Sequence, residues 1–214
     1  MRVLPILFNG EMVRAILDGR KTCTRRVVKP QWNGCDNCMC IHDEFLYDLK
    51  DNVVYCARCE ELLNPVRKPP YQPGDILYVR ETWGYPIQLN SGRKYVYRAD
   101  RCAESGFIND SHVWRPSIHM PKEAARIWLR VTDVRVERLQ DITEDRALCE
   151  GAIDNRGLIH SSDNEYDSIH TAREHFKEIW GSTVKKADID CYGWNANPWV
   201  WVIEFERCEK PEEP

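Results

Sequence analysis

The chain has 214 residues, of which 43% are hydrophobic and 30% charged, and its net charge is −4. This length allows one domain with a sizeable core plus a small module. The acidic balance argues against a protein that coats nucleic acid along its whole surface, so any phosphate contact is local, and no apolar run approaches the roughly 20 residues of a membrane helix.

Residues 3–8 form a short β-type run. Asn9 is placed to cap the helix that follows, and Met12, Val13, Ile16 and Leu17 give that helix one apolar face. Gly19 is placed to stop it. Residues 22–28 are rich in β-branched side chains and predict a strand. Residues 31–70 break the pattern. They are polar, cysteine-rich and flanked by prolines, and read as an inserted module. A turn at Pro73-Gly74-Asp75 starts the next strand, over 74–82. Ser91-Gly92 suggests a hairpin turn before a strand over 93–99. Residues 127–139 alternate apolar and polar, with a parity slip near Thr132-Asp133 that predicts a bulge or bend. Asp141 or Thr143 caps a helix over 144–150, closed by Gly151. A polar loop over 155–167 leads to an amphipathic helix over 169–180, with Ala172, Phe176, Ile179 and Trp180 on one face. The last strand covers 199–205. Many short strands with two or three helices predict an α+β fold: a small, partly open β-barrel flanked by helices.

The N-terminus has no secretion signal, because its apolar stretch is short and interrupted by Pro5, so a cytoplasmic location is expected. There, ten cysteines point to metal ligands and buried thiols more than to a disulfide framework. Cys35 and Cys38 form one C-x-x-C pair. Cys56 and Cys59 form a second, with 17 residues between the pairs. This is the spacing of a zinc ribbon, in which four thiolates close a tetrahedron. A polar insertion buries little core, and bound zinc would supply its folding energy. A closed site of four cysteines has no exchangeable position, so the expected zinc is structural. Cys40 and His42 are reserve ligands.

The segment Gly19-Arg20-Lys21-Thr22-Cys23-Thr24-Arg25-Arg26 joins a helix end, a glycine turn and a strand start. It is locally basic within an acidic chain. On a regular strand Thr24 and Arg26 share one face, with Cys23 and Arg25 on the other. The segment resembles the opening motif of the ASCH family, which has a PUA-like barrel. Residues 73–81, 139–151 and 203–205 resemble later parts of that family in the same order. Together with residues 114–121, the chain resembles the longer ASCH proteins of bacteriophages and prophages. The resemblance spans nearly all of residues 1–214 as one ASCH/PUA-like domain, apart from the module at 31–70.

The resemblance implies an amidohydrolase that removes the acetyl group from N4-acetylcytidine. Matched motif by motif, it implies Lys21, Thr24 and Glu150 as catalytic residues, with Glu144 as the competitor for the carboxylate. A threonine hydroxyl needs an adjacent base to act as a nucleophile. Lys21 takes that role, and Glu150 the proton transfers to the leaving amine and from water. A nucleobase pocket also needs a stacking face and polar groups. Trp83, Trp114 and Tyr97 are candidates for the first. Arg20, Arg26, Glu81, Arg98, Arg115 and Ser117 are candidates for the second. The competing expectation is a non-catalytic module that binds RNA or a modified base. A two-metal nuclease is disfavoured, because the sequence shows no suitable carboxylate cluster.

Overall fold

The computed structural model describes residues 1–29, 31, 35, 38, 45–48, 53–62, 68–86, 94–100, 113–156 and 170–212. The Ser91-Gly92 turn, Cys40, His42 and most of the 155–167 loop lie outside these residues. In chain order the elements are β1 (Val3–Leu7), α1 (Gly10–Leu17), β2 (Cys23–Val27), β3 (Phe45–Asp48), β4 (Val53–Cys56), β5 (Ile76–Arg80), β6 (Trp83–Gly84) and β7 (Val96–Tyr97). There follow β8 (Trp128–Arg138), α2 (Glu144–Cys149), α3 (Ala172–Thr183), α4 (Ile189–Tyr192) and β9 (Trp199–Cys208). The fold is therefore mixed α+β. Among the described residues no helix is long and apolar enough to cross a membrane.

The chain divides into two compact units. The first comprises Met1–Lys21, Pro73–Thr132 and Phe205–Pro214; the second comprises Thr22–Gln72 and Asp133–Glu204. In the first unit β1 runs parallel to β5, with Val3 opposite Ile76 and Leu7 opposite Arg80. β5 pairs antiparallel with the start of β8, Ile76 facing Arg130. Gly74 has φ +87° and supplies the turn into β5 that a side chain would strain. The buried Asp75 beside it accepts from the Arg2 guanidinium, with Nε to Oδ1 at 3.0 Å. This ties the start of β1 to the start of β5. The expected slip in β8 is present in its burial, which runs Leu129, Val131, then Val134.

In the second unit the strand order is β8, β9, β2. β2 and β9 are antiparallel, with Cys23 opposite Glu204 and Val27 opposite Val200. Val200 and Val202 pack with Leu139, Ala147, Phe176 and Trp180 into a core that joins the sheet to α2 and α3. Truncating Phe176 there would cost about 3–5 kcal/mol by the usual core rule. β3 and β4 form a separate antiparallel hairpin, Phe45 opposite Cys56, inside the cysteine-rich insertion.

Candidate functional site

Lys21 is delivered by the end of α1. Gly19 adopts φ +75°, and its N–H donates to the Ile16 carbonyl at 3.1 Å. The Arg20 and Lys21 N–H groups both donate to the Ala15 carbonyl, at 2.9 and 3.0 Å. This is the six-to-one and five-to-two closure that a left-handed glycine allows. It turns Lys21 inward, where it is 3% exposed and its Nζ stands 5.4 Å from the centre of the Phe8 ring. Arg20 points out instead and pairs with Asp18 at 3.1 Å on the surface.

In the second unit the Thr22 N–H donates to the carbonyl of Cys149, the last residue of α2, at 2.8 Å. The register then fixes the faces of β2. Thr24 and Arg26 stand opposite Ile203 and Trp201, while Cys23, Arg25 and Val27 stand opposite Glu204, Val202 and Val200. Side chains alternate along a strand, so Thr24 and Arg26 share a face as the sequence implied. Thr24 is 2% exposed.

Glu150 is the C-terminal cap of α2. Gly151 follows with φ +91°, donating to Leu148 at 2.8 Å, and Ala152 donates to Ala147 at 3.1 Å. The turn repeats the closure seen at Gly19 and leaves Glu150 only 4% exposed. Its carboxylate accepts from Arg25 Nη1 at 3.2 Å, and Arg25 Nη2 also reaches Glu137 at 2.9 Å. Arg25 thus holds these two carboxylates together. Arg135 continues the chain by bonding Glu137 and, at 2.6 Å, Glu204. Burial alone would push the Glu204 carboxyl up, but Arg135 and Arg146 outweigh it and hold it below its ordinary range.

A cavity of about 570 Å³ is lined by Arg26, Lys29, Lys68, Pro70, Tyr71 and Trp201. Burial draws the Arg26 guanidinium below its ordinary pKa, with the nearby Glu150 and Tyr71 acting the other way. Burial also raises the Tyr71 phenol, and Arg26 opposes that rise. Arg26 and Tyr71 are thus electrostatic neighbours. The Lys29 ammonium lies 4.6 Å from the centre of the Tyr192 ring. No sequence motif marks Lys29, Lys68 or Tyr71. Their only signal was a local run of cations and one aromatic at the edges of the insertion.

The remaining candidates belong to the first unit. Glu81 is 1% exposed and accepts two bonds from Arg126, at 2.8 and 3.0 Å. Arg126 also bonds Asp100 at 2.7 Å and lies 4.0 Å from the centre of the Tyr97 ring. Burial pushes the Tyr97 phenol up to about 12, and its hydroxyl donates to the Ala124 carbonyl at 2.7 Å. Glu81 and Tyr97 are therefore members of one charged clamp. Nothing in the sequence marked Arg126 as its centre. Trp83 is buried at ring-centre distances of 5.4 Å from Tyr85 and 5.5 Å from Tyr95. The Arg115 guanidinium stands 5.6 Å from the Trp83 ring and 5.1 Å from Tyr85. Ser117 opens a short 3-10 turn, Trp114 beside it is half-buried, and Arg98 is exposed.

The four predicted metal ligands do come together. The sulfurs of Cys35, Cys38, Cys56 and Cys59 all lie within 4.8 Å of one another. The Cys35–Cys59 and Cys38–Cys56 separations are 3.5 and 3.7 Å. Four thiolates around a metal at about 2.3 Å would stand about 3.8 Å apart, so the donor set fits. The second pair sits on a tight knuckle. Arg58 N–H donates to Cys56 Sγ at 3.4 Å, and Glu60 turns the chain with φ +57°. Cys38 is in a disulfide, so binding through all four sulfurs requires its reduction. The residues thus describe a site able to hold one metal ion.

Comparison of the chain with protein-family models, with curated proteins and with solved structures gives no match.

Proposed function

We propose that the chain is an ASCH-type protein, its sheet the wall of a PUA-like barrel, acting as an amidohydrolase on an acylated nucleoside such as N4-acetylcytidine. The observation that carries this reading is the burial of the three residues its motifs nominate. Lys21 is 3% exposed, Thr24 2% and Glu150 4%. Burying polar and charged side chains costs free energy that a fold has little reason to spend at three motif positions without a use for them.

The reaction balances with these groups. Thr24 Oγ gives its proton to Lys21, which enters the reaction as the neutral amine, and attacks the acetyl carbon. The bond to N4 breaks as Glu150, entering as the carboxylic acid, protonates the amine, releasing cytidine. Water, deprotonated by Glu150, then cleaves the threonyl ester, acetate leaves, and Lys21 returns its proton to Thr24 Oγ to restore the hydroxyl. The test is to incubate the purified protein with N4-acetylcytidine and follow cytidine by chromatography. Turnover is expected, falling about a thousandfold or more in Thr24→Ala and recovering in part in Thr24→Ser. Undiminished turnover in Thr24→Ala removes this mechanism.

The second reading is a non-catalytic RNA- or base-binding module. The cluster of Trp83, Tyr85, Tyr95 and Arg115 favours it, because Tyr85 is exposed and Arg115 lies against it. An exposed ring beside a guanidinium is a sequence-tolerant stacking platform. Absence of turnover, with RNA binding lost in Tyr85→Ala, supports this alternative. In either case the four cysteines are assigned structural zinc.

A further inference from the structure

From the cavity bounded by β2 and the segment before β5, we infer that the ligand carries a phosphate: the site takes a nucleoside monophosphate in preference to the bare nucleoside. The inference deepens the nucleoside reading above and rests on it for the identity of the base. The phosphate itself is argued from the cavity.

Three of its lining side chains are cationic, Arg26, Lys29 and Lys68, and none is acidic. That is an unusual lining in a chain whose net charge is −4. Arg26 is half-buried and so partly withdrawn from water. A desolvated guanidinium gains more from an anion than an exposed one, and its planar fork matches phosphate oxygens. Lys29 and Lys68 are exposed, and each adds a positive charge to the lining. Tyr71 and Trp201 supply an apolar wall beside the cations. Trp201 is 3% exposed, so the half-buried Tyr71 is the more accessible of the two rings. A cavity of about 570 Å³ is within the range of small-molecule sites.

Its place also suits the reading. Arg26 shares a face of β2 with Thr24, two residues along, a strand step of about 6.6 Å. A phosphate held at Arg26 would therefore lie beside, and not on, the Thr24 hydroxyl. A single nucleotide fits better than a long strand, because three cations on an acidic chain neutralise few phosphates.

The test titrates the full chain by calorimetry with cytidine and with cytidine 5′-monophosphate, at low and high salt. The monophosphate is expected to bind about tenfold tighter at low salt, with the preference shrinking as salt rises. Replacing both exposed lysines (Lys29→Ala with Lys68→Ala) is expected to remove most of that preference, with the melting temperature unchanged. Equal affinity for the two ligands overturns the inference. So does a preference that survives in the double variant, or an oligoribonucleotide that binds far tighter than the monophosphate with a steep salt slope. These probes carry no acetyl group. A protein inert towards N4-acetylcytidine that still shows the preference loses only the hydrolase reading. An active deacetylase with no phosphate preference loses only this inference.

Discussion

Arg25 is a full positive charge whose side chain has no exposed surface. Two carboxylates divide it: Glu150 at 3.2 Å and Glu137 at 2.9 Å. The Phe176 ring closes over its guanidinium at 5.9 Å. Removing the cation strands the buried Glu150, while Glu137 keeps Arg135, and breaking a buried pair from one side costs about 3–5 kcal/mol. Arg25→Met, which keeps the volume, is therefore expected to lose roughly that much stability in urea denaturation. Glu150→Gln keeps an acceptor for Arg25 and is expected to cost much less. If Arg25→Met melts like the wild type, the network is ornamental and Glu150 is placed by its helix cap alone. Little of this was legible in the sequence. The motif nominated Glu150, but Arg25 lies 125 residues away, and no local pattern encodes a pairing at that range. The same holds for Arg126 and Glu81, 45 residues apart.

At the scale of elements, the sequence was readable wherever a cap or a period was strong. Asn9 accepts from Met12 N–H at 2.9 Å, as its position before the apolar face implied. Gly19 and Gly151 end their helices in the left-handed conformation expected of them. Thr143, not Asp141, caps α2. Legibility failed where an element is short or borrows its stability. The β3–β4 hairpin sits in a polar insertion, and α4 spans only Ile189–Tyr192. The strand expected over 74–82 stops at Arg80, where Glu81 turns to Arg126, and resumes as the two residues of β6. α3 starts at Ala172, not at 169, because Thr171 and Glu174 form a reciprocal capping box. That signal was present in the sequence as Thr-x-x-Glu and outranks the apolar Ile169. It gives a clean prediction. Thr171→Ala frees the Glu174 N–H that the hydroxyl now satisfies at 3.1 Å. The expected loss is about 1 kcal/mol, read as a lower denaturation midpoint with an unchanged slope. Thr171→Ser should restore most of it, and a wild-type midpoint in the alanine variant would show that packing of Phe176 and Trp180 alone sets the helix start.

At the scale of the whole molecule, the cysteine insertion and the sheets are stabilised by different means. The second unit's core joins β9 to α2 and α3 through contiguous apolar side chains. In the insertion, Val54, Cys35 and Cys56 are buried, while Leu46 and Leu62 are exposed. A hairpin of two four-residue strands is at best marginally stable in water by itself. Glu60 adds a left-handed conformation that costs about 1–2 kcal/mol in a non-glycine residue. A bound metal would offset these deficits, because its binding free energy would become folding free energy for the segment that supplies the ligands. Under reducing conditions the purified protein is expected to carry one zinc per chain by atomic emission. Chelation should abolish amide-exchange protection over Val53–Cys56, while that of β8 and β9, held by their own core, persists. Cys59→Ser should reproduce the chelated pattern without a chelator, since it removes one of the four sulfurs grouped within 4.8 Å. Unchanged protection of β4 after the metal is gone would mean that the hairpin is held by its own packing. Simultaneous loss across β4, β8 and β9 would mean that the metal stabilises the sheet as well as its insertion.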